Sequence, residues 1–240
     1  MIEGIVDFHS HILPGVDDGS QSVEESIALL RKEAEQGISH VIATPHFYPQ
    51  HDMPERFLKR RAEAEAILRQ EMRKHTGLPR LSVGAEVYYF NGISHSDAMK
   101  ELTIDQTSCI LVEMPLANWT DGMYRELEEL HDKQNLLPVV AHVERYFGRF
   151  RTYGIPERLE QLPVLVQANA EFFLNKASSA RALRMLKKGQ IHLLGSDCHD
   201  LSHRAPNLQE AISLIERRLG KGAIDAICRW QQQALQEEMQ

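Results

Sequence analysis

Seven short apolar runs rich in valine, isoleucine and leucine punctuate the chain: Gly4 to Phe8, His40 to Thr44, Leu81 to Ala85, Cys109 to Val112, Leu137 to Ala141, Val164 to Ala168 and Ile191 to Gly195. Each is apolar on both faces, as a strand covered by helices is. The stretches between them have helical character. Ser22-Val-Glu-Glu25 offers a capping box, and Gly37 a C-terminal stop. Further helices are predicted from about Pro54 to His75, Asp121 to Gln134, Ser179 to Lys188, Pro206 to Leu219 and Ala223 to Glu237. This alternation predicts parallel βα units, and 240 residues suit one α/β barrel, a single domain over residues 1–240.

In such a barrel the strand C-termini converge on one face and supply the active site. Six of the seven runs end in a potential metal ligand: Asp7-Phe-His9-Ser-His11, Thr44-Pro-His46, Ala85-Glu86, Val112-Glu113, Ala141-His142 and Ser196-Asp197-Cys-His199. The sixth run ends at Asn169, a weak ligand. Alternation along a strand puts Asp7, His9 and His11 on one face, and Asp197 and His199 together on another. The Asp17-Asp18 pair follows a Pro-Gly turn and could swing a carboxylate over the same opening. A single strand-end histidine is ordinarily a hydrogen-bonded cap. Six such junctions are different, because that many unpaired polar groups at one mouth would cost on the order of several kcal/mol without a ligand.

Mixed nitrogen and oxygen donors suit manganese, iron or zinc better than an all-oxygen magnesium or calcium cage. The donors outnumber the needs of one four-coordinate ion, which points to two or three ions with Glu86 and Glu113 as bridges.

Composition narrows the substrate. The 27 Lys and Arg against 34 Asp and Glu leave a net charge of -7, so no global positive field attracts nucleic acid or acidic membrane. Arg145-Tyr-Phe-Gly-Arg-Phe-Arg151 could still form a local basic strip. The N-terminus shows no signal-peptide pattern, and no apolar run approaches the roughly 18 residues of a membrane span. Three cysteines, an odd number, suit a reducing compartment, so a soluble cytoplasmic protein without membrane insertion is expected. No P-loop, His-Glu-x-x-His helix or dinucleotide fingerprint is present.

The segments Asp7-Phe-His-Ser-His11-Ile-Leu-Pro-Gly-Val-Asp-Asp18-Gly, Thr-Pro-His46, Gly-Ala-Glu86-Val-Tyr-Tyr, Val-Glu113, Ala-His142-Val-Glu-Arg145-Tyr and Ser-Asp197-Cys-His199 resemble, in order, the polymerase-and-histidinol-phosphatase superfamily. The Asp-Asp-Gly and Ala-His-x-Glu-Arg-Tyr segments resemble most its CpsB/CapC-like branch, the bacterial protein-tyrosine phosphatases of capsule and exopolysaccharide operons. The resemblance implies a distorted (β/α)7 barrel with three divalent ions, commonly manganese, acting on the phosphotyrosyl tail of a tyrosine autokinase. It implies one ion on His9, His11, Glu86 and Asp197, a second on Glu86, Glu113 and His142, and a third on Asp18, His46 and His199. It places the phosphate-contacting arginines at Arg145 and Arg204, whose guanidinium groups can fork across phosphoryl oxygens. Asp7 is expected to orient a ligating histidine. Phe47 and Tyr48, with Tyr88, Tyr89 and Phe90, are candidate walls for a phenol ring.

The expected reaction is in-line attack on phosphorus by a hydroxide bridging two ions, with both arginines stabilising the developing charge. Rival readings are a histidinol-phosphate phosphatase, another phosphoesterase or nuclease, and a non-catalytic phosphopeptide-binding module. Cys198-x5-Arg204 has the spacing of cysteine-dependent phosphatases, but Asp197 and Asp200 flank the thiol where that chemistry needs a cradle of backbone amides.

Overall fold

The computed structural model describes residues 4–105, 107–147 and 154–236. Among the described residues, nine short strands appear where seven runs are predicted: β1 (Ile5–Ser10), β2 (Ile38–Ala43), β3 (His46–Phe47), β4 (Arg80–Val83), β5 (Glu86–Tyr88), β6 (Cys109–Glu113), β7 (Leu137–Val140), β8 (Leu165–Asn169) and β9 (Leu193–Gly195). The two additions are interruptions of single staves. Pro45 has no N–H to give a ladder and separates β2 from β3. At Gly84, between β4 and β5, a Cβ would stand 2.9 Å from the Ile104 side chain.

All pairings are parallel, in the orders β1-β2-β4 and β3-β5-β6-β7-β8-β9. Beyond β9 the chain returns to β1. A bridge joins Ser10 to Cys198, Asp197 N–H donates to His9 O at 2.8 Å, and His11 N–H donates to Cys198 O at 2.9 Å. The result is a distorted barrel of seven staves.

The helices are α1 (Val23–Glu35), α2 (Pro54–Met72), α3 (Asp121–Gln134), α4 (Ile155–Leu159), α5 (Ala170–Leu174), α6 (Ser179–Lys187), α7 (Leu208–Leu219) and α8 (Lys221–Gln236). The short α4 and α5, and 3-10 turns at Ile93–His95, Asp97–Glu101 and Val143–Tyr146, have no counterpart in the sequence pattern. Glu237, the expected end of α8, lies outside the described residues, as do Arg149 and Arg151 of the basic strip. Ser22 Oγ accepts from Glu25 N–H, the first half of the capping box; Glu25 itself accepts from Gln21 N–H rather than from Ser22.

Alternation sorts the strand residues into two apolar layers. Ile110, Val112 and Val140 join the large cluster beneath the helices, whereas Cys109, Leu111, Val139, Leu165 and Leu193 form a smaller one with Val6, Phe8 and Ile42. The latter fills the barrel interior, and α8 closes it, with Ala234 in the cluster and the Gln231 side chain bonded to both Val6 N–H and Val6 O. With that end plugged, the opposite, C-terminal ends of the strands are free to carry polar groups.

Candidate metal centre

One irregularity in β1 decides where its side chains go. Asp7 pairs with Val41 and Ser10 with Ala43, three steps on β1 against two on β2, so a bulge reverses the alternation. Val6 and Phe8 face the interior, and beyond the bulge His9 and His11 face the same interior at its mouth. Asp7 is thereby separated from the histidines and corrected in role. Its carboxylate accepts from Ser196 N–H (2.8 Å), Ser196 Oγ (2.5 Å) and His9 N–H (3.2 Å), and no histidine ring is among its described partners. Beside it on that outer side lie Glu33 of α1 and Cys198.

The groups that orient histidines are others. His11 Nδ1 lies 2.7 Å from Asp17 Oδ2, and Asp17 also accepts from the backbone of Gly19 and His46. Gly19 is required here, since a Cβ would come within 2.1 Å of His11 O. Gln167 Oε1 takes the His142 N–H at 2.6 Å and stands 3.4 Å from His9 Nδ1. Gln167 then donates to Asn169, whose Nδ2 donates to Asp197 Oδ2 at 2.8 Å. Tyr146 Oη, which accepts from Met114 N–H, lies 3.5 Å from His142 Nδ1. Asp17 sits beside Asp18 in the sequence, and its role is set by a turn geometry that spacing does not reveal.

The nine expected ligands meet at the mouth, around Glu86. Its Oε2 is 3.2 Å from His9 Nε2, 3.4 Å from His11 Nε2 and 2.8 Å from His46 Nδ1, while Oε1 is 2.7 Å from His142 Nε2. Asp197 Oδ1 stands 3.3 Å from His11 Nε2 and 3.6 Å from His9 Nε2. Glu113 Oε1 is 3.6 Å from His142 Nε2. On the solvent side Asp18 Oδ1 lies 3.5 Å from His46 Nε2 and 3.4 Å from His199 Nε2. Three overlapping groups have ligand atoms close enough for one ion each: His9, His11 and Glu86; His11, Asp18, His46 and His199; and His46, Glu86 and Glu113.

Two observations show that this donor set fits divalent cations. First, His46 Nδ1, Glu86 Oε2, Glu113 Oε2 and His199 Nε2 are buried without a hydrogen-bond partner among the described residues. His46 Nδ1 and Glu86 Oε2 approach each other closely yet lack hydrogen-bond alignment, as two ligands of one cation do. Second, the chain bends out of its way to present ligands. His142 (φ 31°) and Asp197 (φ 54°) hold positive φ angles that residues with a Cβ seldom adopt.

The carboxylates, His142 and His199 take the states that ligands need, whereas the acidic neighbours of His9 and His11 raise both imidazoles against their burial, so that a cation would take the place of their protons. Burial alone would raise the Glu86 and Asp197 carboxyls, but the surrounding histidines hold both well below the usual range. Burial pushes His142 down, and burial with the His11 charge pushes His199 down to about 4, leaving neutral imidazoles. Glu113 is raised to about 7 by burial and by the Glu86 charge beside it, a repulsion that a cation between them relieves.

Arg145 and Arg204 rim the centre. Arg145 donates to Asp197 Oδ2 at 2.5 Å, and Arg204 donates to Asp197 Oδ1 at 2.8 Å. The turn that delivers Arg204 is tied by Asp200, whose Oδ1 accepts from Ser202 and His203 N–H groups.

Among the aromatic candidates the structure separates neighbours. Phe47 is a core residue, 1% exposed and packed on Phe57, and is corrected from the expected substrate wall. Tyr89 is buried and donates to Glu126. Tyr48 does reach the mouth, 5.0 Å from the His46 ring and 5.7 Å from the Tyr88 ring. Cys198 is fully buried, and burial together with the Glu33 and Asp7 charges pushes its thiol well above the usual value.

The comparisons with known proteins agree with this architecture. The sequence model for "Capsular polysaccharide synthesis, CpsB/CapC" matches residues 5–236. The tyrosine-protein phosphatase CpsB of Streptococcus agalactiae is 28% identical over 228 residues, covering 90% of this chain and 92% of that one. The tyrosine-protein phosphatase YwqE of Bacillus subtilis is 29% identical, covering 90% and 85%. A crystal structure from a study of YwqE from Bacillus subtilis and CpsB from Streptococcus pneumoniae, described as unique metal-dependent tyrosine phosphatases, superposes with a TM-score of 0.83. It is 24% identical, covers 98% of this chain and 96% of that one, and supports the fold. No described helix is long and apolar enough to cross a membrane.

Proposed function

The chain belongs to the CpsB/CapC family of capsular polysaccharide synthesis proteins, and from that premise we propose that it is a metal-dependent protein-tyrosine phosphatase. The observation that carries the reading is the convergence of five histidines and three further carboxylates around Glu86, with Arg145 and Arg204 both drawn to Asp197 at its rim. Relatives named tyrosine-protein phosphatases match over nine-tenths of the chain.

His9, His11, Glu86 and Asp197 would hold one ion, Glu86, Glu113 and His142 a second, and Asp18, His46 and His199 a third, with manganese the metal we favour. Such ions supply positive charge to phosphoryl oxygens and make a water acidic enough to ionise near neutral pH.

The chain's own groups do the rest. Asp17 and Gln167 fix the rings of His11 and His9 so that Nε2 of each points inward. Arg145 and Arg204, each about one-third exposed, are placed to exchange Asp197 for the non-bridging oxygens of a phosphate at the mouth. Tyr48 offers a face beside His46 against which a phenol ring stacks. The leaving tyrosine has a pKa near 10, so its departure needs little help from a general acid.

The substrate we favour is the phosphotyrosyl tail of a tyrosine autokinase, met in the cytoplasm. Comparing kcat/KM for a phosphotyrosyl peptide and for histidinol phosphate tests the assignment. A preference for the peptide is expected, and a preference for histidinol phosphate would move the protein to that alternative phosphatase activity.

A further inference from the structure

Among the described residues, the surface grooves with a volume worth filling include three. One of about 470 Å³ lies on the Asp18 and Tyr48 side of the centre, and its cations Arg60 and Arg56 are already paired with Asp52 at 2.6 and 3.8 Å. One of about 730 Å³ between α5 and α7 shares no residue with the centre. The remaining one, about 710 Å³, begins at the centre itself: Arg145, Asp197 and Arg204 line it, and it runs past Asn169 and Phe147 to Arg181 on α6. That volume lies in the range of about 300–1,000 Å³ typical of clefts that engulf a whole ligand. A phosphorylated phenol at the mouth would leave much of it open.

The charges along this groove single out one residue. Arg145 and Arg204 are taken up by Asp197, and Glu144 accepts the Asn169 N–H. Glu171 is the groove's other carboxylate. Arg181 is exposed, makes no ion pair among the described residues, and holds its guanidinium 5.3 Å from the Phe147 ring centroid. Phe147 in turn packs 6.1 Å from Phe172. An arginine laid on an aromatic face loses little freedom on binding, and its charge is free to act on an incoming anion. Ser178 and Asn207, which precede α6 and α7, also line the groove, and neither side chain caps its helix. The partial positive charge of those first turns adds to the same sign.

Resting on the phosphatase reading, we propose that this groove receives the polypeptide flanking the phosphotyrosine, with Arg181 selecting an acidic side chain near it. Arg181 acts on specificity and touches no reacting atom.

The test uses the manganese-loaded protein and phosphotyrosyl peptides carrying Glu, Gln or Lys at single positions up to three residues on either side. The wild type is expected to prefer Glu over Lys roughly three- to tenfold in kcat/KM at one of these positions, the scale of an exposed charge pair. Nonhydrolysable phosphonate versions of the peptides should bind in the same order. Arg181→Glu should invert the order, and Arg181→Gln should level it. A wild type indifferent to flanking charge, or a preference that survives Arg181→Glu, would overturn the inference while leaving the phosphatase reading intact. Failure of the wild type to hydrolyse any phosphotyrosyl peptide would overturn both.

Discussion

His11 Nδ1 and Asp17 Oδ2 are 2.7 Å apart, and that contact turns the other ring nitrogen of His11 towards Glu86 and Asp197. Burial by itself would lower the His11 pKa, but the bond to Asp17 and its charge prevail and raise it well above the usual value. Asp17 thus supplies the far-side partner that His11 would need as a metal ligand.

Asp17→Asn keeps the shape of this contact and removes its charge. Affinity for manganese, measured by titration calorimetry, should fall roughly 10- to 100-fold, the usual loss when such a supporting group is changed. Unchanged affinity would show that His11 needs no such support.

Glu33 and Asp7 make a buried acidic pair behind the centre. Burial and the Asp7 charge push the Glu33 carboxyl up to about 10, so it is protonated in the folded protein at neutral pH. The unfolded chain ionises it above about pH 4.5, and the stability of the fold therefore declines as pH rises from there towards about 10. Glu33→Gln removes that penalty. Thermal melts of the metal-free variant should show a higher Tm than wild type at pH 8 and a flatter pH dependence, whereas two parallel curves would contradict the buried protonated acid.

Cys198 lies in the same buried layer and away from the mouth. Cys198→Ala is expected to hydrolyse phosphotyrosyl peptide at a rate close to wild type, and native protein should resist alkylation at this position. Loss of turnover together with retained folding would revive cysteine chemistry.

Phe47 and Tyr48 are adjacent in sequence and opposite in role. Phe47→Ala should cost about 3–5 kcal/mol in denaturant unfolding, as deletion of a core ring does. Tyr48→Ala should leave the unfolding midpoint nearly unchanged and raise KM for aryl phosphates. An equal effect of both substitutions on stability would place Tyr48 in the core as well.

These cases mark what the amino-acid pattern reveals. Strand ends were legible at Glu86, Glu113, His142 and Asp197 because apolar runs stop there, and period-two alternation assigns inward and outward positions wherever the strand is regular. β1 is not regular. Its bulge moves Asp7 from the histidine face to the side of α1, and nothing in Asp7-Phe-His9 announces it. The break at Pro45 is visible in retrospect, since a residue without an N–H cannot extend a ladder. Glu33 left a readable trace, for it occupies the same stripe of α1 as the buried Ser26, Leu29 and Leu30, where a charged residue is out of place. Asp17 left none, because its role depends on how Gly19 folds the turn back onto His11.

The most direct test of the account is hydrolysis of a phosphotyrosyl peptide by protein stripped with chelator and then resupplied with manganese, using wild type and His142→Ala. Activity that vanishes with chelator, returns with manganese and is largely lost in the variant is the predicted result. Hydrolysis that persists without metal, or that is indifferent to His142, would contradict a metal centre built on Glu86 and the histidines around it.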